Sequence, residues 1–228
     1  MRTVYVIGSG KSAIELDRYR NAITDSVGCN YSYRLIVSQA HVFTDWMMWV
    51  GKHEDLTSMD TEMYCIRTFN TEIANRTPGP KVPDRFHRFQ CYFWEGLSNS
   101  DDRLTTGWTS LIPAINLAYL KKPDVIALIG VELDNTEHFW NCPEWPEVNR
   151  RQMKLHDWKG PIFEYENPPE SGFPHQADVL KQMHAIGDWL RRAGIRPVNC
   201  SAGGSVTGWD RVSLEEMTCS DSSICSRT

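Results

Sequence analysis

Val4-Tyr5-Val6-Ile7-Gly8-Ser9-Gly10-Lys11-Ser12 is the stretch whose reading decides the fold. Four apolar residues run up to a glycine turn. A short apolar run of this kind suits a parallel strand buried on both faces. After the turn, Ala13, Ile14 and Leu16 begin a helical spacing. Strand, glycine turn and helix in that order predict the first unit of a nucleotide-binding α/β domain. A glycine turn lets the backbone approach a phosphate, and the open amides of a helix N-terminus favour an anion. Gly8, Ser9, Gly10, Lys11 and Ser12 are therefore candidate nucleotide contacts. Lys11 reads equally well as an added point charge or as a solvated first-turn residue.

The same grammar recurs downstream. Leu111–Leu120 reads as a buried helix, with Pro113 near its start where proline is tolerated. Val125–Ile129 is a second buried strand and ends at Gly130. Ala177–Ala193 is amphipathic, with Val179, Leu180, Met183, Ile186 and Leu190 at helical spacing and Gly194 as its C-terminal cap. Further strands are expected at Ser26–Cys29, Arg34–Val37, Tyr64–Phe69, Arg88–Trp94 and Ile195–Val198, and a helix over Asp45–Val50. The expected fold is α/β, a Rossmann-like doubly wound and mostly parallel sheet. One transferase domain spans residues 1–217, and a Ser-rich flexible tail follows over 218–228. Residues 134–174 are rich in Pro and contain Trp140, Trp145 and Trp158. Long irregular insertions of this kind form lids or binding loops, or merely cover a sheet edge.

Composition narrows the function. The chain has 228 residues and a formal net charge of -5. This acidic balance argues against a dedicated nucleic-acid binder, although Arg76, Lys81, Arg85 and Arg88 fall in one segment. The seven cysteines are scattered without C-x-x-C, so they read as reduced thiols of a cytoplasmic protein. Neither a signal peptide nor a stretch of roughly 20 apolar residues is visible. No histidine pair has zinc spacing, and no metal ligands are assigned.

Three motif readings compete for the glycine turn. A Walker A loop needs a glycine where Tyr5 stands, so that reading fails by position. Gly8, Gly10 and Ala13 match G-x-G-x-x-A, but the acid expected about 20 residues later is absent, and Cys29-Asn30 stands there instead. The third reading uses more of the chain. Gly8-Ser9-Gly10-Lys11-Ser12, Cys29-Asn30, Thr105-Thr106-Gly107, Gly130-Val131-Glu132, and His175 before a long helix occur in that order. Asn199-Cys200-Ser201-Ala202-Gly203-Gly204 and Ser213-Leu214-Glu215-Glu216 follow.

This order resembles the superfamily that contains the bacterial sialyltransferases of glycosyltransferase family 42, the Maf flagellin glycosyltransferases and the MptE-like hydroxymethylpterin diphosphokinases. Ser9 replaces the usual Asn, Lys11 the usual Pro, and Glu132 the commoner Asp. The resemblance implies a variant GT-A-like fold; the Pro- and Trp-rich segment read as a lid has no counterpart in it. It implies a glycosyltransferase that moves a sugar from a nucleotide-activated donor, CMP-linked by preference, to a hydroxyl on a small molecule or glycan. It implies His175 as general base, and Asn30, Thr105, Thr106, Gly107, Gly130 and Glu132 as nucleotide contacts beside the first turn. That reaction requires no further cofactor; the nucleotide-sugar is a co-substrate. Glu132-Leu133-Asp134 also reads as a cation-binding Glu-x-Asp, but Glu132 as a ribose or acceptor contact is preferred. The alternative is an MptE-like diphosphokinase, or a transferase acting on a hydroxymethyl compound or a hydroxymethylated DNA base. The diphosphokinase would need Mg2+. A homo-oligomer is compatible with either.

Overall fold

The computed structural model describes residues 1–69, 75, 78–92, 96–133, 138, 139, 142 and 176–220. Nine strands form one sheet in the order β6-β5-β4-β3-β2-β1-β7-β8-β9. They are β1 Thr3–Ile7, β2 Ser26–Cys29, β3 Ala40–Phe43, β4 Glu62–Ile66, β5 His87–Tyr92, β6 Arg103–Thr105, β7 Val125–Ile129, β8 Arg196–Asn199 and β9 Asp210–Arg211. Every neighbouring pair is parallel.

The chain lays down β1 to β6 in one direction, then crosses to the far side of β1 to add β7, β8 and β9. The order therefore reverses between β1 and β7, which pair from Thr3↔Val125 to Ile7↔Ile129. In open α/β sheets, a reversal of this kind leaves a crevice at the carboxyl ends of the two strands, where ligands bind.

Alternation along the central strands builds a core on each face. Val4, Val6, Ile126 and Leu128 pack with Ile112, Ile115 and Leu117 of the helix Leu111–Leu120 and with Met183 and Ile186 of the helix Gln176–Arg192. Tyr5, Ile7, Val125, Ala127 and Ile129 face the other way, toward Leu16, Leu214 and Met217. Phe43, Trp49, Leu56 and Phe86 continue that second layer around the helix Trp46–Ser58. Burial on both faces explains why the β1 and β7 sequences carry no polar alternation.

Several expectations change. The third strand is Ala40–Phe43 rather than Arg34–Val37, because Asn30–Arg34 closes into a 3-10 turn. His41 interrupts the apolar pattern of that strand, yet it is fully buried, with Nε2 2.9 Å from the Asn30 carbonyl. The first helix is a 3-10 turn over Lys11–Glu15 and only four α-helical residues, Leu16–Tyr19. The helix at Trp46–Ser58 runs well beyond Val50. Residues 218–220 belong to the helix Leu214–Ser220 instead of a tail, and Thr218 is buried with Oγ1 bonded to the Leu214 carbonyl. Cys29, Cys65, Cys91, Cys142 and Cys200 carry thiols outside disulfides, but Cys219 is disulfide-bonded, contrary to the reduced reading. Of the expected lid only His138, Phe139 and Cys142 are described; Trp140, Trp145 and Trp158 lie outside the described residues. Among the described residues no helix is long and apolar enough to cross a membrane.

The short strand β6 depends on one buried side chain. Asn116 Oδ1 accepts the Ser98 and Thr105 amides at 2.9 and 2.8 Å, and its Nδ2 donates to the Ser98 carbonyl. Asn116→Leu leaves the buried Thr105 amide and two half-buried Ser98 backbone groups without this partner and should cost roughly 3 kcal/mol of stability. Urea unfolding measures this, and an unchanged midpoint would contradict it.

Candidate functional site

The turns after β1 and β7 are bonded to each other. The Gly8 amide donates to the Ile129 carbonyl and the Gly10 amide to the Gly130 carbonyl, both at 2.8 Å. Gly130 has φ 67, and a Cβ there would lie 2.5 Å from Ala13 Cβ. Glycine is required on both counts. A Cβ on Gly10 would sit 1.7 Å from Glu132 Oε2. The two turns thus approach until only backbone separates them.

Glu132 fills the gap so formed. Its Oε1 accepts the Ser12 amide at 2.8 Å, and its carbonyl accepts the Ser205 amide at 2.8 Å. This changes the chemistry expected of the turn. The first-turn amide that would have met a phosphate is already held by a carboxylate of the same chain. The α-helical segment behind it is a single turn, too short to carry much dipole. The phosphate cradle expected at Gly8–Ser12 is therefore replaced by a carboxylate-lined crevice.

The crevice is rich in unsatisfied polar atoms. Among the described residues, Ser9 Oγ, Ser12 Oγ, Asn30 Oδ1 and Glu132 Oε2 are buried without a hydrogen-bond partner. Thr106 Oγ1 is also buried, with the Cys91 thiol as its neighbour and hydrogen-bonding group. Buried polar atoms in folded proteins are nearly always paired, so unpaired ones gathered at one sheet edge call for a ligand. Asn30 Oδ1 and Glu132 Oε2 can only accept, and the hydroxyls can do either. The complementary group is thus a donor, such as a sugar hydroxyl or a base amine. A phosphate supplies acceptors alone.

The remaining expected residues divide. Asn30 directly follows β2, the neighbour of β1, in a left-handed conformation with φ 50. Thr105 is the buried last residue of β6, and its Oγ1 donates to the Gly96 carbonyl at 2.8 Å. Thr106 follows in the turn rather than opening a helix, which begins at Leu111. Gly107 makes room for Gln182, whose Nε2 donates to the Thr106 carbonyl at 3.0 Å. Gln176, on the same helix, donates to the Leu133 carbonyl at 2.5 Å. Six helical residues span on the order of 9 Å, so this helix ties the Thr106 turn and the Glu132 turn to one edge of the sheet. Lys11 is exposed. His175 lies outside the described residues.

His138 was not picked out by the sequence. It forms an antiparallel bridge with Gly10, and its Nδ1 lies 3.2 Å from the Ser9 carbonyl. Desolvation lowers its pKa, opposed by the Ser9 carbonyl and by the charge of Glu132. The Phe139 amide donates to the Ser9 carbonyl at 3.1 Å, and the Phe139 side chain is fully buried. No spacing rule marks these residues; only the folded chain brings them to the turn.

Among the described residues no group of three His, Cys, Asp or Glu side chains is placed to hold a metal ion. The basic segment is used locally: Lys81 pairs with Asp84, Arg85 bonds the Thr57 carbonyl and Arg88 the Val82 carbonyl. No family model matches the chain, and neither a curated protein nor a solved structure is significantly similar to it.

His41, the residue behind Asn30, gives a pH signature. Burial pushes its imidazole from an ordinary 6.5 down to about 4, against the opposing bond to Asn30. Between those values the unfolded chain binds a proton that the folded chain refuses. Stability is therefore intact above about pH 6.5 and falls as pH drops toward 4, by on the order of 3 kcal/mol. The difference between wild type and His41→Gln in urea unfolding at about pH 7 and about pH 4.5 isolates this contribution. An equal acid loss in both proteins would refute it.

Proposed function

We propose that this protein is a nucleotide-dependent transferase, a glycosyltransferase that moves a sugar from a nucleotide-activated donor, CMP-linked by preference, to a hydroxyl acceptor. The observation that carries the reading is the set of buried atoms, unpartnered among the described residues, at the carboxyl ends of β2, β1 and β7: Ser9 Oγ, Ser12 Oγ, Asn30 Oδ1 and Glu132 Oε2. Their acceptor-rich character suits the hydroxyls of a ribose and the amine of a cytosine. The order of the glycine turn, Asn30, Thr106, Glu132 and His175 along the chain supports the same reading by resemblance.

In this mechanism Glu132 Oε2 and Asn30 Oδ1 orient the nucleoside. The acceptor oxygen forms a bond to the anomeric carbon as the bond from that carbon to the phosphate oxygen breaks. The nucleotide leaves with the electron pair, and His175 takes the acceptor proton. His175 directly precedes Gln176, which is anchored beside Glu132 through the Leu133 carbonyl. Removing the uncompensated demand for donors raises the stability of the liganded protein by mass action.

A thermal-shift panel of CMP, CDP, UDP, ATP and NADH, with and without Mg2+, tests the proposal. CMP or CDP should raise the melting temperature by several degrees without metal. A shift confined to ATP with Mg2+ would select the diphosphokinase alternative, and no shift with any nucleotide would sink both. His175→Ala should reduce turnover at least about a hundredfold while leaving the nucleotide shift in place.

A further inference from the structure

We infer that His41 is a positioning residue that holds Asn30 in its ligand-facing conformation. Its consequence for binding rests on the nucleotide reading above; the contact itself does not.

Asn30 enters the left-handed region at φ 50, where a residue with a side chain pays a steric cost. The 3-10 turn Asn30–Arg34 begins there, and the Asn30 carbonyl turns back toward β3. His41 Nε2 meets that carbonyl at 2.9 Å. A carbonyl only accepts, so His41 carries its hydrogen on Nε2 and presents Nδ1 as an acceptor.

The other side of the ring is equally particular. His41 Nδ1, Ser32 Oγ and Ser38 Oγ are all buried and without hydrogen-bond partners. They converge on Gly28: a Cβ there would lie 2.7 Å from Ser32 Oγ, 2.8 Å from His41 Nδ1 and 3.0 Å from Ser38 Oγ. The Nε2 contact with the Asn30 carbonyl by itself selects the Nε2–H tautomer and leaves Nδ1 an acceptor. Tyr33 closes the ring edge-on, with centroids 5.9 Å apart.

An apolar residue at position 41 would continue the run of Ala40, Val42 and Phe43 and remove two buried ring nitrogens from the core. The structure instead places an imidazole, two hydroxyls and a glycine behind one backbone carbonyl. That carbonyl belongs to the residue whose side-chain Oδ1 is itself unpartnered in the crevice. Holding the Asn30 backbone determines where that oxygen points.

The full-length protein, labelled with 15N and 13C, provides the test. His41 should show the neutral Nε2–H tautomer, and the Asn30 Cα and Cβ shifts should report a left-handed backbone. His41→Gln, whose amide nitrogen can replace Nε2, should keep those Asn30 shifts and bind CMP within about threefold of wild type. His41→Leu should lose the shifts and weaken CMP binding about tenfold. In an Asn30→Gly background, His41→Leu should have no further effect on CMP. An Nδ1–H tautomer, left-handed Asn30 shifts that persist in His41→Leu, or the same loss of CMP binding in the Asn30→Gly background would each overturn the inference. If CMP fails to bind wild type while tautomer and shifts behave as stated, the nucleotide reading fails and the role of His41 stands.

Discussion

The carboxylate of Glu132 accepts the Ser12 amide across the gap between β1 and β7, and the geometry of the crevice depends on that contact. The parallel register of the two strands delivers Gly8 and Gly130 to the same level. Hydrogen bonds from Gly8 and Gly10 then hold the outgoing turns together. Glu132 follows at once and turns its side chain under Gly10, where no Cβ can be accommodated. One oxygen is used by the protein and the other is not. An unpaired carboxylate oxygen in a buried position carries a large desolvation cost unless something completes it.

This constraint redirects the chemistry of a familiar arrangement. A glycine turn between a strand and a helix ordinarily offers open amides to a phosphate. Here the helical segment is one turn, and its available amide is taken by an internal anion. What remains unpaired behind the turns, among the described residues, are buried acceptors and hydroxyls of Ser9, Ser12, Asn30 and Glu132. Under the proposed function, recognition falls on hydroxyls and amines of a ligand; the Asn30 carbonyl is met by a buried histidine of the next strand.

Much of the sheet was legible because its central strands are buried on both faces. Val4–Ile7 and Val125–Ile129 carry no polar residue, and each ends at glycine, so the strand and its turn read together. Ser26–Cys29 and Leu111–Leu120 were read at their observed bounds. The third strand was misplaced because Leu35 and Ile36 are apolar but pack as a loop, whereas Ala40–Phe43 contains a buried histidine. The two-residue strand β9 and the three-residue β6 are too short for any periodicity to register. Within the site, Gly8, Gly10, Gly130 and Glu132 are brought together, but Thr105 is turned into the core by its bond to Gly96. The Ser12–Glu132 contact spans 120 residues, and the approach of His138 to Ser9 spans 129. Contacts of such separation leave no local pattern, and they are the ones that turned a phosphate cradle into a carboxylate-lined crevice.

The most direct measurement is an amide-detected NMR titration of the labelled protein with CMP. The account predicts that the largest shift changes fall on Gly8–Ser12, Asn30 and the Gly130–Leu133 turn, with the Ser12 amide staying bonded to Glu132. Changes centred elsewhere in the fold, or a Ser12 amide that leaves Glu132 for the phosphate, would contradict it.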